Sequence, residues 1–491
     1  MNIAVLTMFN GLSPTYSLVQ VAELQLRMLL NAGMNVRLLV SEDCPLSERY
    51  GAYLDERLTW VPVANRCAGG QIHWRDYTQH AGRTHEGFEA ETETIACDLI
   101  RKLADADVCI MHDILYQGWH LVHNVAVRRA QLALPRLRFL SMVHSAPAPR
   151  PRRTEWPFSA RYTPMPNTLH LYPTASGIPA LARQYGVPES ACRVMPNGLD
   201  PLAYCSEDTR RLAASVDLLS PDVLIVYPGR LTPAKRFDKA AALAAALASV
   251  SGLRVTLVCC DFPSMDVDPD AYKQGVRLEA ARVAGELRAA RLADGEADGP
   301  AGCGQVGDAV EDPARDRAEA PTDISRAKAA GAEVVFTSDL GWPTGYPHRG
   351  VMELFGLANL FVCPSYSESF GLVVLEAAGR GNLLVLNEAV PALAELGRPL
   401  GAYLMRWDAR NFGFDTVETY QPSEEAYLRG HADRIMRLLA DNPVLKAKTA
   451  ARQRYSPQAI WEERLRPLLA ECMAAERDDA EATQMADAGD K

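Results

Sequence analysis

No run of about 18 apolar residues occurs anywhere in the 491-residue chain, so a membrane-spanning helix is not expected. Met1 to Thr7 lacks a basic start and is too short for a signal peptide; its apolar run reads as a buried strand. The eleven cysteines are scattered and odd in number, with Cys259 and Cys260 adjacent. Neither CxxC pairs nor Cys/His ligand spacing occurs, so structural zinc is not expected. The reading is a reduced protein, cytoplasmic or peripheral at a membrane. Against 51 Lys and Arg stand 61 Asp and Glu, a net charge of −10. That gives no general pull toward nucleic acid or membrane.

What is present is alternation. Ile3 to Thr7 reads as a strand, Tyr16 to Asn31 has helical spacing, and Val36 to Val40 reads as a strand again. Further strand-like runs are Val108 to Met111, Phe139 to Val143, Leu169 to Tyr172 and Arg193 to Met195. The second half repeats the plan at Val223 to Tyr227, Val255 to Cys259, Glu333 to Thr337, Asn359 to Cys363 and Leu383 to Leu386. Strands alternating with helices imply parallel sheets covered on both faces. The expectation is α/β: two doubly wound, Rossmann-like domains, with ligands beyond the C-terminal strand ends in a cleft between them. The domains are expected at 1–203 and 204–455, followed by a helix at 456–475 and a loose acidic tail at 476–491. Residues from about 286 to 330 are rich in Ala, Gly, Asp, Glu and Arg, and read as a solvated insert.

Chemistry concentrates in one string, Pro364-Ser365-Tyr366-Ser367-Glu368-Ser369-Phe370-Gly371-Leu372-Val373-Val374-Leu375-Glu376-Ala377. A strand ends in a polar turn, and a small-residue loop opens a helix. A helix N-terminus offers unpaired N–H groups and the positive end of a dipole. Ser369 to Leu372 therefore form a ready anion site, and Gly371 permits close backbone approach. Glu368 on the loop and Glu376 on the helix can each grip a diol. Either Glu alone is more often a solvated charge. Together, phosphate plus two diols describes a nucleotide sugar.

This string resembles the signature of the retaining glycosyltransferases of family 4, the group 1 glycosyltransferases with the two-domain GT-B fold. Those carry Glu, seven residues and Glu around a Phe-Gly-Leu-like core. The resemblance spans about residues 1–260 and 332–475. It implies transfer of a sugar from a nucleotide-diphospho-sugar to an acceptor hydroxyl, with retention at the anomeric carbon. It further implies that Glu368 holds the donor sugar, that Glu376 holds the ribose, and that Ser369, Phe370, Gly371 and Leu372 offer backbone N–H groups. The C-terminal helix would cross back to the N-terminal domain. The segment Gly229-Arg230-Leu231, then Lys235, resembles the family's basic motif. Fixed cations there would stabilise charge on the departing diphosphate. The family usually has Gly after that Lys, where this chain has Arg236. His144 resembles the family's strand-end His beside the transferred sugar, and Gly11 its small-residue loop over the diphosphate. Met195-Pro196-Asn197-Gly198-Leu199-Asp200 resembles its turn before the interdomain linker.

The remaining features concern the acceptor. His112 ends the strand preceding that of His144. Arg128, Arg129, Arg136, Arg138, Arg150, Arg152, Arg153 and Arg161 form a locally basic stretch interleaved with Trp156, Phe158 and Tyr162. Arg forks suit phosphate and aromatics suit sugar or base. His112, Arg150, Arg152, Arg153 and Trp156 are the expected acceptor contacts. The acceptor stays open between a phospholipid or lipid-linked compound, a phosphosugar, another glycan and a modified base in DNA. Asp266 and Asp268 spell a metal-type Asp-x-Asp but lie outside the matched motifs, so no metal and no organic cofactor is expected. A GT-B epimerase would be expected to lack the Arg230, Lys235, Glu368 and Glu376 set. A phosphorylase would need a cofactor lysine that is not identified. A non-catalytic nucleotide-sugar-binding scaffold is the rival of another class. Oligomeric state is not legible.

Overall fold

The computed structural model describes residues 1–68, 70–72, 83–148, 154–293, 332–407 and 423–474. The tail expected from 476 lies outside them, as do residues 294–330 of the insert. The chain divides into two compact units, Met1–Asp200 with Tyr455–Lys491, and Pro201–Arg454.

The first unit begins with β1 (Asn2–Leu6), α1 (Ser17–Asn31), β2 (Asn35–Ser41) and β3 (Leu58–Val63). A two-residue hairpin, β4 (Arg66–Cys67) and β5 (Gly70–Gln71), precedes α2 (Phe88–Leu103) and β6 (Val108–His112). Then come α3 (Leu121–Ala133), β7 (Arg138–Met142), β8 (Thr168–Tyr172), α4 (Ile178–Tyr185) and β9 (Cys192–Val194). The sheet order is β3-β2-β1-β6-β7-β8-β9, and every pairing in it is parallel. The strands run as near-continuous apolar segments because helices cover both faces. α1 buries Leu18, Val19, Ala22, Leu26, Leu29 and Leu30 at helical spacing. Each fully buried aliphatic side chain contributes roughly 1.5–3 kcal/mol.

The second unit runs α5 (Glu207–Ser215), β10 (Val223–Arg230), α6 (Phe237–Ser251), β11 (Val255–Phe262), α7 (Pro269–Ala293) and β12 (Ala332–Phe336). It continues through α8 (His348–Leu357), β13 (Leu360–Cys363), α9 (Leu372–Gly379), β14 (Leu383–Asn387), α10 (Pro391–Gly397), β15 (Tyr403–Met405), α11 (Glu424–Asp441) and α12 (Pro443–Arg454). The sheet order is β12-β11-β10-β13-β14-β15, again all parallel. Relative to β10 this is the order 3-2-1-4-5-6, whose strand direction of travel reverses between β10 and β13. That reversal opens the crevice where doubly wound sheets bind ligands. α6 is apolar nearly all round and correspondingly buried at Phe237 and from Lys239 to Ala248.

The chain then returns to the first unit through α13 (Pro457–Ile460). Ser456 Oγ accepts from the N–H of Ala459 at 3.3 Å, and Pro457 occupies the first helical turn, the start that Ser-Pro favours. Ile460, Leu465, Leu468, Leu469 and Cys472 join the core built by Ile3, Val5, Leu26 and Leu29.

Three differences from the sequence reading have physical causes. β3 and β15, both at sheet edges, were not among the expected strands; β3 carries Pro62, which an edge tolerates and a central strand does not. Residues 286–293 do not begin the solvated insert, because α7 continues through them and Leu287 is buried, 1% exposed. Arg230 does not follow a strand ending at Tyr227. It is the last residue of β10, in register with Phe262 of β11.

Candidate active site

In the second unit, the loops after β10 and β13 meet at the point where the sheet order reverses. β10 delivers Tyr227, which is 1% exposed, to the base of both loops. Its hydroxyl donates to the carbonyl of Lys235 at 2.7 Å and lies 3.0 Å from Ser365 Oγ. Burial raises its pKa well above the ordinary value, so it stays a neutral donor. The N–H of Tyr366 donates to the carbonyl of Ala234 at 3.1 Å. From β14, Asn387 donates to the carbonyl of Ser365 at 3.1 Å. These bonds fix two loops that lie more than a hundred residues apart in sequence.

On that frame sits the ion pair of Lys235 Nζ with Glu368 Oε1. Both side chains are largely covered, at 27% and 14% exposure, so the pair is shielded more than a surface bridge. Arg230 points outward and, among the described residues, has no ion-pair partner. Arg236 adopts the left-handed conformation, φ 53° and ψ 49°. This is the position where the resembled family has Gly. Its guanidinium bonds Asp238 at 3.0 and 3.1 Å, which offsets part of the cost of a side chain at positive φ. The close turn between Lys235 and α6 is therefore made without glycine.

α9 opens at Gly371, φ 87°, with no side chain capping its first turn. A Cβ there would stand 3.2 Å from Leu393 Cδ2 and 3.3 Å from Val374 Cγ2. The first N–H groups of α9 thus remain available to an anion. Ser369, Phe370 and Leu372 are exposed around that opening. On the second turn, Glu376 Oε1 is 2.8 Å from His348 Nε2, at the first residue of α8. The arrangement places two cations and a helix N-terminus, groups that favour an anion, on the same loops and helix as two carboxylates.

In the first unit, the strand-end residues gather at the analogous reversal, between β1 and β6. After β1, Gly11 lies against Glu48: a Cβ would stand 2.9 Å from Glu48 Oε2. That carboxylate accepts from the N–H of Leu12 at 2.7 Å. Beyond β7, the N–H of His144 donates to Asp113 Oδ1 at 2.8 Å, and Ser145 Oγ lies 3.3 Å from Asp113 Oδ2. His144 is half-buried, and burial lowers its pKa while Asp113 raises it. Among the described residues nothing bonds its Nδ1.

The acceptor expectations fare unevenly. His112 is 1% exposed, and both its ring nitrogens are engaged, with His144 Nε2 at 2.9 Å and Gln25 Oε1 at 3.0 Å. It has no atom left for an acceptor, so that assignment is corrected: it stands behind His144. Trp156 is 55% exposed. Arg150, Arg152 and Arg153 lie outside the described residues. The wider basic stretch is less free than its composition suggests. Arg128 is buried and donates to Asn124 Oδ1 and to the carbonyls of Ala160 and Pro164 at 2.8 to 3.2 Å, and to that of Thr163. Arg129 pairs with Glu89 and Glu93. Asp268 caps α7, accepting from the N–H groups of Asp270 and Ala271 at 3.0 Å. Among the described residues, no helix is long and apolar enough to cross a membrane.

Neither a protein-family model nor a curated protein matches the sequence. Solved structures do match along its length. A glycosyltransferase from Rickettsia africae ESF-5 aligns over 96% of this chain and 98% of its own, at 11% identity and a TM-score of 0.32. Sucrose-phosphate synthase from Thermosynechococcus elongatus aligns over 97% and 100%, at 15% identity and 0.34. Anabaena Alr3699/HepE, solved in complex with UDP, aligns over 97% and 100%, at 13% identity and 0.31.

Sequence reasoning missed Tyr227, Ser365, Asn387, His348 and Gln25. Tyr227 carried a signal, as the one polar-tipped residue in the apolar strand Val223 to Tyr227. His348 carried none that linked it to Glu376, 28 residues away.

Proposed function

We propose that this chain is a retaining GT-B glycosyltransferase of the family 4 type, moving a sugar from a nucleotide-diphospho-sugar to an acceptor hydroxyl. The observation that carries the reading is the Lys235–Glu368 pair, which ties the β10 loop to the β13 loop beside the uncapped N-terminus of α9. In this reading Arg230, Lys235 and the α9 N–H groups take the diphosphate. Glu368 takes hydroxyls of the donor sugar, and Glu376 takes the ribose. The reaction breaks the bond between the anomeric carbon and the phosphate oxygen, and the cations stabilise the charge left on that oxygen. The acceptor hydroxyl attacks from the same face, and the departing phosphate takes its proton. His144, on the first unit, is read as a hydrogen-bonding group for a substrate hydroxyl. No metal or organic cofactor is needed for these steps.

A thermal-shift panel with UDP, GDP, ADP and their sugars tests the reading. One nucleotide series should raise the unfolding temperature, as any ligand of the folded state does. The stabilising nucleotide sugar should then be slowly hydrolysed without acceptor, which separates an enzyme from a binding scaffold. Proton NMR of the released sugar should show the donor's anomeric configuration first. No shift with any nucleotide would overturn the reading.

A further inference from the structure

Beneath His144 lies a chain of hydrogen bonds that begins at a thioether. Gln25, on α1, is 2% exposed. Its Nε2 is 3.0 Å from Met142 Sδ, and its Oε1 is 3.0 Å from His112 Nε2. Met142 and His112 are direct neighbours across β6 and β7, so one amide reaches both. The identity of each atom follows from chemistry. A thioether sulfur has lone pairs and no hydrogen to give. The NH2 end of Gln25 therefore faces Met142, since the opposite orientation would set two acceptors against each other. The carbonyl end then faces His112, which must donate through Nε2–H.

His112 is buried, and burial together with the neighbouring His144 lowers its pKa well below the ordinary value. It stays neutral and carries one ring proton. With that proton on Nε2, its Nδ1 is an acceptor. His144 Nε2, 2.9 Å away, is left as the donor. The ring planes are 11° apart and the centroids 5.2 Å apart. A nitrogen contact so much shorter than the centroid separation puts both nitrogens between the ring centres, the arrangement of an in-line N–H···N bond and not of face-on stacking.

We propose that Met142, Gln25 and His112 are positioning residues that lock His144 in its Nε2–H tautomer, presenting Nδ1 as a fixed acceptor for a substrate hydroxyl. The role of that hydroxyl rests on the glycosyltransferase reading; the tautomer does not. Asp113 completes the placement by accepting from the backbone N–H of His144 at 2.8 Å. Without the relay, a neutral His144 would divide between two tautomers, and one of them would place a proton where a lone pair is needed. Loss of the correct histidine tautomer can cost several powers of ten in catalysis.

The test is nitrogen-15 NMR of histidine-labelled full-length protein at neutral pH, with the His144 signals identified by their loss in His144→Gln. The expected pattern is a protonated Nε2 and a bare Nδ1, read from the nitrogen shifts and from proton coupling. Gln25→Met removes the acceptor at similar length. It should turn the His144 signals into those of a tautomer mixture and lower kcat at least about tenfold, with the donor KM unchanged. Met142→Leu, a milder change, should move the signals in the same direction by a smaller amount. A parent protein with Nδ1 protonated would overturn the proposal. So would a folded Gln25→Met or Met142→Leu variant with the parent's tautomer. The NMR result needs no turnover, so failure of the relay and failure of the enzymatic reading are separate outcomes.

Discussion

Gly371 carries two loads at once, and an alanine there separates them from ordinary helix stability. Its φ of 87° lies where a side chain costs about 1–2 kcal/mol. The added methyl would also meet Leu393 and Val374 at 3.2 and 3.3 Å. Leu393 is fully buried, and Val374 is fully buried as well, so neither can swing into solvent. That crowding adds about 1 kcal/mol or more. Gly371→Ala should therefore destabilise the second unit by about 2–3 kcal/mol in total. If the backbone instead relaxes to negative φ, the first N–H groups of α9 rotate away from the anion position, and nucleotide affinity falls. The control is Gly379→Ala, eight residues further along, at the last residue of α9. Gly379 has no atom within 4 Å of its virtual Cβ, and alanine there should be neutral or stabilising by up to about 1 kcal/mol. Urea denaturation of the full chain measures both, with the transition that shifts on adding nucleotide reporting the second unit. Calorimetric titration with the same nucleotide measures affinity. If Gly371→Ala matches Gly379→Ala in both midpoint and affinity, the strained opening of α9 has neither the structural nor the binding role assigned to it.

Glu376→Ala should weaken nucleotide binding while Glu368→Ala chiefly slows transfer; equal nucleotide affinity in Glu376→Ala and the parent, by titration, would remove the ribose assignment. Lys235→Ala or Arg230→Ala should cost roughly 3 kcal/mol of transition-state stabilisation, measured as kcat/KM, with turnover insensitive to EDTA; restoration by Mn²⁺ after chelation would contradict the metal-free scheme. Glu353 should make the second unit acid-labile. Burial pushes its pKa up, but hydrogen bonds from Thr209 and from the hydroxyl and N–H of Ser206, with Arg349 beside it, bring it from 4.5 down to about 2. A depressed carboxylate stabilises the fold above its unfolded pKa, and that stability is lost as pH falls through the folded one. By linkage the loss between pH 5 and pH 2 is at most about 3 kcal/mol, and Glu353→Gln should flatten the denaturation midpoint across that window.

What the sequence made legible is what a short window holds. The alternating pattern anticipated the central strands of both sheets, because a strand buried on two faces is apolar throughout. Glu368, Gly371 and Glu376 are spaced within nine residues, so one loop-to-helix junction brings them together without help from the rest of the fold. Lys235 reaches Glu368 from 133 residues away, and only the resemblance, not the spacing, had joined them. The failures share a cause. Arg128 looks like its exposed neighbours in composition, yet its guanidinium is consumed by backbone carbonyls of the 160–164 segment. A buried charge persists only where such bonds compensate it, and nothing local announces those acceptors. His112 and His144 each follow an apolar strand run and look alike in sequence. They differ because α1 lays Gln25 over one of them and leaves the other half-open. A residue's function here is decided by which lone pairs and hydrogens its neighbours leave unspent, and those neighbours arrive from elsewhere in the chain.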